Sequence, residues 1–202
     1  QHGEGFEHIK TFVYLTKMHS ARHTIYKEFK DQIKSKSITL DCEEDDEENA
    51  TKKYHILTFT KDKEFIRVVI ATVDSFMWAL HNPGEIQEEN DKFTAIVKSI
   101  GHGHVDKTVY KDCTLSKECL IIVDESQDLY MEYLEALYEI SRSTYCDIYM
   151  IGDKLQSILC PENIYTHIEK KKMPNVKICK STPKNNVRRF HNKGLAVFVN
   201  DV

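Results

Sequence analysis

Two short apolar runs, each ending abruptly in acidic and amide residues, constrain the fold of this 202-residue chain more than any other feature. The first is LIIVDESQDL at residues 120–129, and the second is DIYMIGDKLQSI at residues 147–158. A β-branched apolar run that stops at polar side chains is typical of a buried parallel strand. Open α/β sheets bind ligands at the carboxyl ends of such strands. The two runs therefore predict an α/β fold with a ligand site at one sheet edge.

The segment between the runs predicts one amphipathic helix. In YMEYLEALYEISRS, at residues 130–143, Tyr130, Leu134, Leu137 and Tyr138 recur at helical spacing. A strand, a helix and a second strand in this order form a unit whose two strands lie parallel. The polar ends of both runs are then expected at the same edge of the sheet.

The polar residues after the two strands have the chemistry that phosphoanhydride hydrolysis requires. Asp124 could hold Mg²⁺, directly or through water, and Glu125 could accept a proton from an attacking water. Gln156, after the second strand, is an uncharged donor suited to a terminal phosphate. A single strand ending in Asp-Glu would serve equally well as a helix N-cap with a charged first turn. Two such strands in this order favour a nucleotide site.

These motifs resemble those of the UvrD/Rep-type superfamily 1 helicases, in which the second motif has the form DExQD and the third has the form GDxxQSI. VDESQD and GDKLQSI match both at every fixed position. Three further segments resemble family landmarks from about residue 10 to the end of the chain. They are FVYLTKMHSA at residues 12–21, IRVVIATVDSF at residues 66–76 and NNVRRFHNKGLAVFVNDV at residues 185–202.

The resemblance implies a RecA-like parallel sheet flanked by helices, with a small insertion, in an ATP-dependent DNA helicase or translocase that uses ATP and Mg²⁺. Asp124 would position Mg²⁺, Glu125 would be the general base, and Gln156 would sense the γ-phosphate. Gln127 and Asp153 would join Asp124 in binding the nucleotide. An arginine would stabilise transition-state charge, and this role stays open between two neighbours. The spacing from Asn186 favours Arg188, whereas the distance to Asn200 favours Arg189.

The resemblance also implies single-stranded DNA as the partner, and the same contacts would serve RNA. The implied contact residues are Thr16, Lys17, Thr72, Ser75 and Phe76. The chain departs from the family pattern at Lys17 and Asp74, where Asn and His are frequent. The base-stacking aromatic and Trp-Arg-Gly element that commonly follow the third motif are missing. Single-strand binding would then be weaker or built differently, unless Tyr14, Phe76 or Tyr165 substitutes.

No GK[ST] occurs in the chain, so the phosphate-binding loop of the form GxxxxGK[ST] is expected upstream of Gln1. We therefore expect residues 1–202 to be a partial RecA-like ATPase domain. The alternative is a catalytically inactive helicase-like scaffold or DNA-binding module that lacks this loop. Retention of Glu125 and Gln156 argues against the alternative. A third possibility is a subunit of a helicase-nuclease, for which no nuclease carboxylate cluster is present.

Charge and hydrophobic patterning divide the chain further. Residues 41–53, which include DCEEDDEEN, predict a solvated acidic loop that could contact protein partners. YHILTFTKDKEFIRVVIAT, at residues 54–72, predicts a hairpin that turns at residues 61–63. Residues 80–118 predict a reduced insertion with a short helix around FTAIVKSI.

Composition agrees with one domain that has a real core, since 41% of the residues are hydrophobic and 30% are charged. No stretch approaches the length of a transmembrane helix, and no leader is visible, so no membrane contact is expected. Six scattered cysteines predict free thiols in a reducing, intracellular compartment, either cytoplasm or nucleus.

Overall fold

A computed structural model describes the chain over residues 8–36, 40–45, 54–61, 63–80, 92–110, 113–153, 165 and 167–168. The chain divides into two compact units, residues 1–170 and 171–202. All the described residues belong to the first unit. Its elements are β1 (Thr11–Thr16), α1 (His19–Ser35), β2 (Leu40–Asp45), β3 (Tyr54–Lys61), β4 (Glu64–Thr72), α2 (Val73–Leu80), α3 (Lys92–Gly101), β5 (Thr108–Val109), β6 (Cys113–Thr114), β7 (Cys119–Val123), a short 3-10 helix (Ser126–Asp128), α4 (Met131–Thr144) and β8 (Asp147–Met150).

The main sheet is mixed but mostly parallel. Its six described strands have the order β2-β3-β4-β1-β7-β8, and β5 pairs with β6 in a separate two-stranded sheet. The neighbours β4, β1, β7 and β8 all run parallel, whereas β3 is antiparallel to both β2 and β4. Helices flank this sheet, which confirms the α/β class predicted from the two apolar runs.

The carboxyl ends of the four parallel strands lie in line. Thr16 at the end of β1 pairs with Thr72 at the end of β4, and Val123 at the end of β7 pairs with Met150 at the end of β8. The backbone N–H of Asp124 donates to the Leu15 carbonyl oxygen at 2.8 Å. The polar segments after β7 and β8 therefore reach the same edge of the sheet, as predicted.

Apolar side chains are buried on both faces of the central strands. On one face, α1 supplies Ile33 to a cluster that includes Leu57, Val68 and Ile70. Successive side chains of a strand point to opposite faces, so the fully buried Val69 belongs to the other face. A parallel strand such as β7, with the sequence CLIIV, needs other elements packed on both of its faces, because it has no charged or strongly polar side chain to expose to solvent.

Helix α4 confirms the helix predicted between the two runs, with one difference at its start. Leu134 and Leu137 are buried, as their spacing predicts. Tyr130 instead precedes the helix with an extended backbone, and its side chain is 53% exposed. Tyr133 is the buried tyrosine in the first turn of the helix.

The antiparallel part of the sheet confirms the predicted hairpin. It also contains part of the segment that the sequence predicts to be an acidic loop. Strands β3 and β4 pair antiparallel from Tyr54↔Ala71 to Lys61↔Glu64. Residues 41–45, predicted as the start of an acidic loop over 41–53, belong to strand β2 instead. Pairing with β3 satisfies backbone groups on one side of β2, and an edge strand tolerates charged residues. Residues 46–53 of that predicted loop lie outside the described residues.

The predicted insertion over residues 80–118 contains few regular elements where it is described. Its predicted short helix is confirmed as α3, which packs against α4, with Gly101 close to Ala136. Strands β5 and β6 form a two-residue pairing beyond it. The thiols of Cys113, Cys119 and Cys146 are buried and free, as predicted for these three cysteines. Within the described ranges, no helix combines the length and the apolar character that crossing a membrane needs.

The buried face of α4 should carry a measurable part of the folding free energy. Leu137 is 1% exposed, so Leu137→Ala is expected to lower the free energy of unfolding by about 2–5 kcal/mol. Urea unfolding of the two proteins measures this difference. Glu135→Ala, at an exposed position of the same helix, is the control and should change stability by about 0.5 kcal/mol or less. Equal effects of both substitutions would contradict this packing.

Candidate functional site

Asp124 lies directly after β7, where the neighbouring strand β1 holds it from two sides. Its backbone is fixed by the bond to the Leu15 carbonyl oxygen, and its Oδ2 accepts a hydrogen bond of 2.8 Å from the Tyr14 hydroxyl. Its Oδ1 accepts the backbone N–H of Glu125 at 3.0 Å. A carboxylate has about four lone-pair sites, so two of them remain for other ligands.

The Tyr14 hydroxyl remains a donor at neutral pH. Burial raises the pKa of Tyr14 well above its ordinary value, and the hydrogen bond to Asp124 raises it further. The carboxylate of Glu125 contributes a smaller increase to this pKa. Tyr14 therefore acts toward Asp124 as a neutral O–H donor, not as a competing anion.

Glu125 occupies a backbone conformation that is unusual for its residue type. Its φ of 52° and ψ of 38° are left-handed, at the start of the 3-10 helix that follows β7. This conformation costs a residue with a side chain about 1–2 kcal/mol. Its Oε2 accepts a hydrogen bond of 2.6 Å from Gln127 Nε2. Backbone and side chain together hold the carboxylate at the sheet edge, next to Asp124.

Gln127 connects the ends of β7 and β8. While its amide nitrogen donates to Glu125, its Oε1 accepts the backbone N–H of Asp153 at 3.2 Å. The side chain is 2% exposed. The sequence predicts Gln127 and Asp153 as nucleotide-binding residues. The structure brings them together and uses Gln127 as a bridge inside the site.

Ser126 and the loop after β8 close the other side of this turn. Both the backbone N–H and the hydroxyl of Ser126 donate to the Ile151 carbonyl oxygen, at 3.0 and 2.9 Å. The Ser126 hydroxyl also contacts the Tyr165 hydroxyl. Gly152 fits between Gln127 and Tyr165 because it has no Cβ. The segments after β7 and β8 thus form one hydrogen-bonded unit, although Ser126 and Ile151 lie 25 residues apart in the sequence.

Most of the side chains predicted to contact nucleic acid are buried. Thr16 is 2% exposed, Thr72 is 1% exposed and Ser75 is 3% exposed, while Phe76 is fully buried. Thr72 Oγ1 accepts the backbone N–H of Ser75 at 3.1 Å and donates to its hydroxyl at 2.8 Å, so Thr72 is the N-cap of α2. In this conformation these side chains stabilise the strand ends and do not reach a ligand at the surface.

Lys17 is the predicted contact residue that reaches the surface. Its Nζ lies 3.3 Å from Asp74 Oδ1 and 3.3 Å from the Tyr133 hydroxyl. The Tyr133 hydroxyl donates to the same Asp74 oxygen at 2.7 Å. Burial and this hydrogen bond raise the pKa of Tyr133, so it too remains a neutral donor. The two departures from the family pattern, Lys17 and Asp74, therefore form an ion pair with each other.

Sequence reasoning missed the tyrosines of this edge. The sequence suggests Tyr14 only as a possible base-stacking residue, whereas its hydroxyl contacts Asp124. No sequence pattern indicates the contact of Tyr133 with Asp74. Tyr130 is 53% exposed and Met18 is 62% exposed at the same edge. The signal that could have found Tyr130 is its place directly after the polar segment of β7. No spacing signals the Tyr14 contact, because the partners lie 110 residues apart.

Three predicted residues, Gln156, Arg188 and Arg189, lie outside the described residues. Within the described part of the chain, no group of three or more His, Cys, Asp or Glu side chains could hold a metal alone. Mg²⁺ usually keeps several waters and binds one or two carboxylates together with substrate phosphates. Asp124, with two lone-pair sites left, fits this mode of binding.

A scan against protein-family models and a search of curated proteins both find no match to this chain. The resemblance to superfamily 1 helicases therefore rests on the motifs of the chain itself.

The contact of Gly152 with Gln127 can be tested without any ligand. A Cβ at Gly152 would lie 2.8 Å from the Tyr165 hydroxyl oxygen and 3.1 Å from the Gln127 backbone nitrogen. Gly152→Ala is therefore expected to lower the free energy of unfolding by about 1–3 kcal/mol, because Gln127 or Tyr165 must move. Thermal and urea unfolding measure the loss.

Gly101→Ala is the matched control, since the nearest atoms to its Cβ would be 3.7 Å away. This variant should stay within about 1 kcal/mol of the wild type. A Gly152→Ala protein as stable as Gly101→Ala would contradict the close approach described for Gln127.

Proposed function

We propose that this chain forms the nucleotide-hydrolysing part of an ATP-dependent helicase or translocase with a RecA-like sheet. The observation that carries the proposal is the pair of carboxylates at the end of β7, linked by Gln127 to the end of β8. Asp124 and Glu125 each have a fixed hydrogen-bond partner, Tyr14 and Gln127. Two oriented carboxylates at the carboxyl edge of a mostly parallel sheet support phosphoanhydride hydrolysis.

The two carboxylates have different surroundings, which supports different roles. Asp124 accepts two hydrogen bonds, one through each oxygen, which fix the orientation of its carboxyl group. Asp124 is the residue that would hold Mg²⁺, and Mg²⁺ would neutralise charge on the nucleotide phosphates. Glu125 accepts one hydrogen bond through Oε2, so Oε1 is the atom that would accept a proton from water.

The contacts of Gln127 support a coupling between ATP hydrolysis and movement along a nucleic acid. Its two ends contact Glu125 and the backbone of Asp153, so a hydrogen-bonded path connects the segments after β7 and β8. Residues after Asp153 continue into the QSI of the third motif, where we propose that Gln156 senses the γ-phosphate. Only a contact that differs between ATP and ADP states can shift a conformational equilibrium.

The nucleic-acid part of the proposal rests on the surface around Lys17. A partly exposed ion pair contributes about 0–1 kcal/mol, so a phosphate could replace Asp74 as the partner of Lys17 at little cost. Tyr130 is 53% exposed, and its carbonyl oxygen accepts the backbone N–H of Tyr133, the residue whose hydroxyl contacts Lys17. A cation beside an aromatic ring is typical of surfaces that bind single strands.

Replacement of Glu125 by Gln in the full-length protein tests the proposed hydrolysis. The substitution keeps the shape of the side chain but removes the base. We expect turnover to fall by about 10²-fold or more, with ATP affinity nearly unchanged. Steady-state ATPase rates and equilibrium binding of ATP measure the two effects.

Glu118→Gln is the matched control, because Glu118 precedes the same strand at the opposite edge, where it lies 3.8 Å from Lys10. Its ATPase rate should equal that of the wild type. If Glu125→Gln retained turnover within a factor of two, Glu125 would not be the base. A wild-type protein that neither binds nor hydrolyses ATP would favour the inactive scaffold.

Removal of the Tyr130 ring tests the proposed nucleic-acid surface. Stacking contributes about 1–3 kcal/mol per base, so Tyr130→Ala should weaken single-stranded DNA binding roughly 10-fold in a fluorescence anisotropy titration. Tyr145→Ala is the control, since Tyr145 is 80% exposed at the other end of α4. Equal affinities of the two variants would contradict a base contact at Tyr130.

A further inference from the structure

The ring and the hydroxyl of Tyr14 have different surroundings. Its ring belongs to the apolar cluster beneath α1, with its centroid 6.2 Å from that of Phe29 in an edge arrangement. Its hydroxyl leaves that cluster and reaches past the end of β7 to Asp124. A phenylalanine would satisfy the same packing. The packing of the core therefore does not require the hydroxyl, whose contact is with Asp124.

The register of the sheet makes this contact possible. Tyr14 pairs with Ile122, two residues before Asp124, and Leu15 pairs with Val123. Asp124 is bound through its backbone to Leu15 and through its side chain to Tyr14. Two consecutive residues of β1 thus fix both the main chain and the carboxylate of Asp124.

We propose that Tyr14 is a positioning residue for the Asp124 carboxylate, and that it sets the affinity of the site for Mg²⁺. The proposal rests on the proposed nucleotide site. Rotation of a carboxylate about its side-chain bonds is restricted when one oxygen accepts a hydroxyl and the other a backbone N–H. The orientation of the lone pairs that remain is then fixed as well. Loss of an outer-shell partner of a metal ligand typically lowers metal affinity or activity 10–100-fold.

The test is Tyr14→Phe in the full-length protein, with Mg²⁺ and a fluorescent ATP analogue as the probes. We expect the Mg²⁺ concentration that gives half-maximal nucleotide binding to rise about 10-fold. Binding of the analogue in EDTA should be unchanged, because Tyr14 would act on binding only through the Asp124 carboxylate and the Mg²⁺ that it holds.

Tyr26→Phe is the matched control, since Tyr26 belongs to the same apolar cluster and its hydroxyl accepts a hydrogen bond from Lys30. It should leave the Mg²⁺ dependence unchanged. A positioning role also predicts that Tyr14→Phe has no further effect on Mg²⁺ affinity once Asp124→Asn is present. Wild-type Mg²⁺ dependence in Tyr14→Phe, or an equal shift in Tyr26→Phe, would overturn the inference. A wild-type protein without Mg²⁺-dependent nucleotide binding would instead overturn the proposed function.

Discussion

The parallel pairing of β7 with β1 on one side and β8 on the other is the constraint on which the candidate site depends. It places Val123 beside Leu15 and Met150, so the residues that follow leave the sheet at one edge. The backbone bonds from Asp124 to Leu15 and from Ile151 to Val123 extend this pairing one residue beyond the strands. Every contact in the site starts from that alignment.

Hydrogen bonds between polar side chains connect the aligned strand ends. Tyr14 and Asp124 join β1 to β7, and Gln127 joins β7 to the loop after β8. Lys17, Asp74 and Tyr133 form a second network that joins the ends of β1, α2 and α4. The first network includes Tyr14 within β1, and the second includes Lys17, the residue directly after β1. A nucleotide at the first network and a nucleic acid at the second would therefore act on the same strand.

The sequence predicts the elements that carry strong local periodicity, and the structure confirms them. β7, β8, α4 and the β3–β4 hairpin follow from apolar patterns within a few residues. The pairing of Lys17 with Asp74 does not, because 57 residues separate the two. The position of a motif also does not reveal burial, and Thr72 and Phe76 are buried in this structure. The acidic residues 41–45 form a strand because β3 offers a partner that local charge cannot reveal.

The most direct test of the central claim is an experimental structure of the full-length protein with Mg²⁺ and a non-hydrolysable ATP analogue. We predict that the Asp124 carboxylate holds the metal, directly or through one water. We also predict the terminal phosphate close to Glu125, at the carboxyl edge of β7. A nucleotide bound elsewhere, with the Asp124 carboxylate remote from both metal and phosphate, would contradict the account.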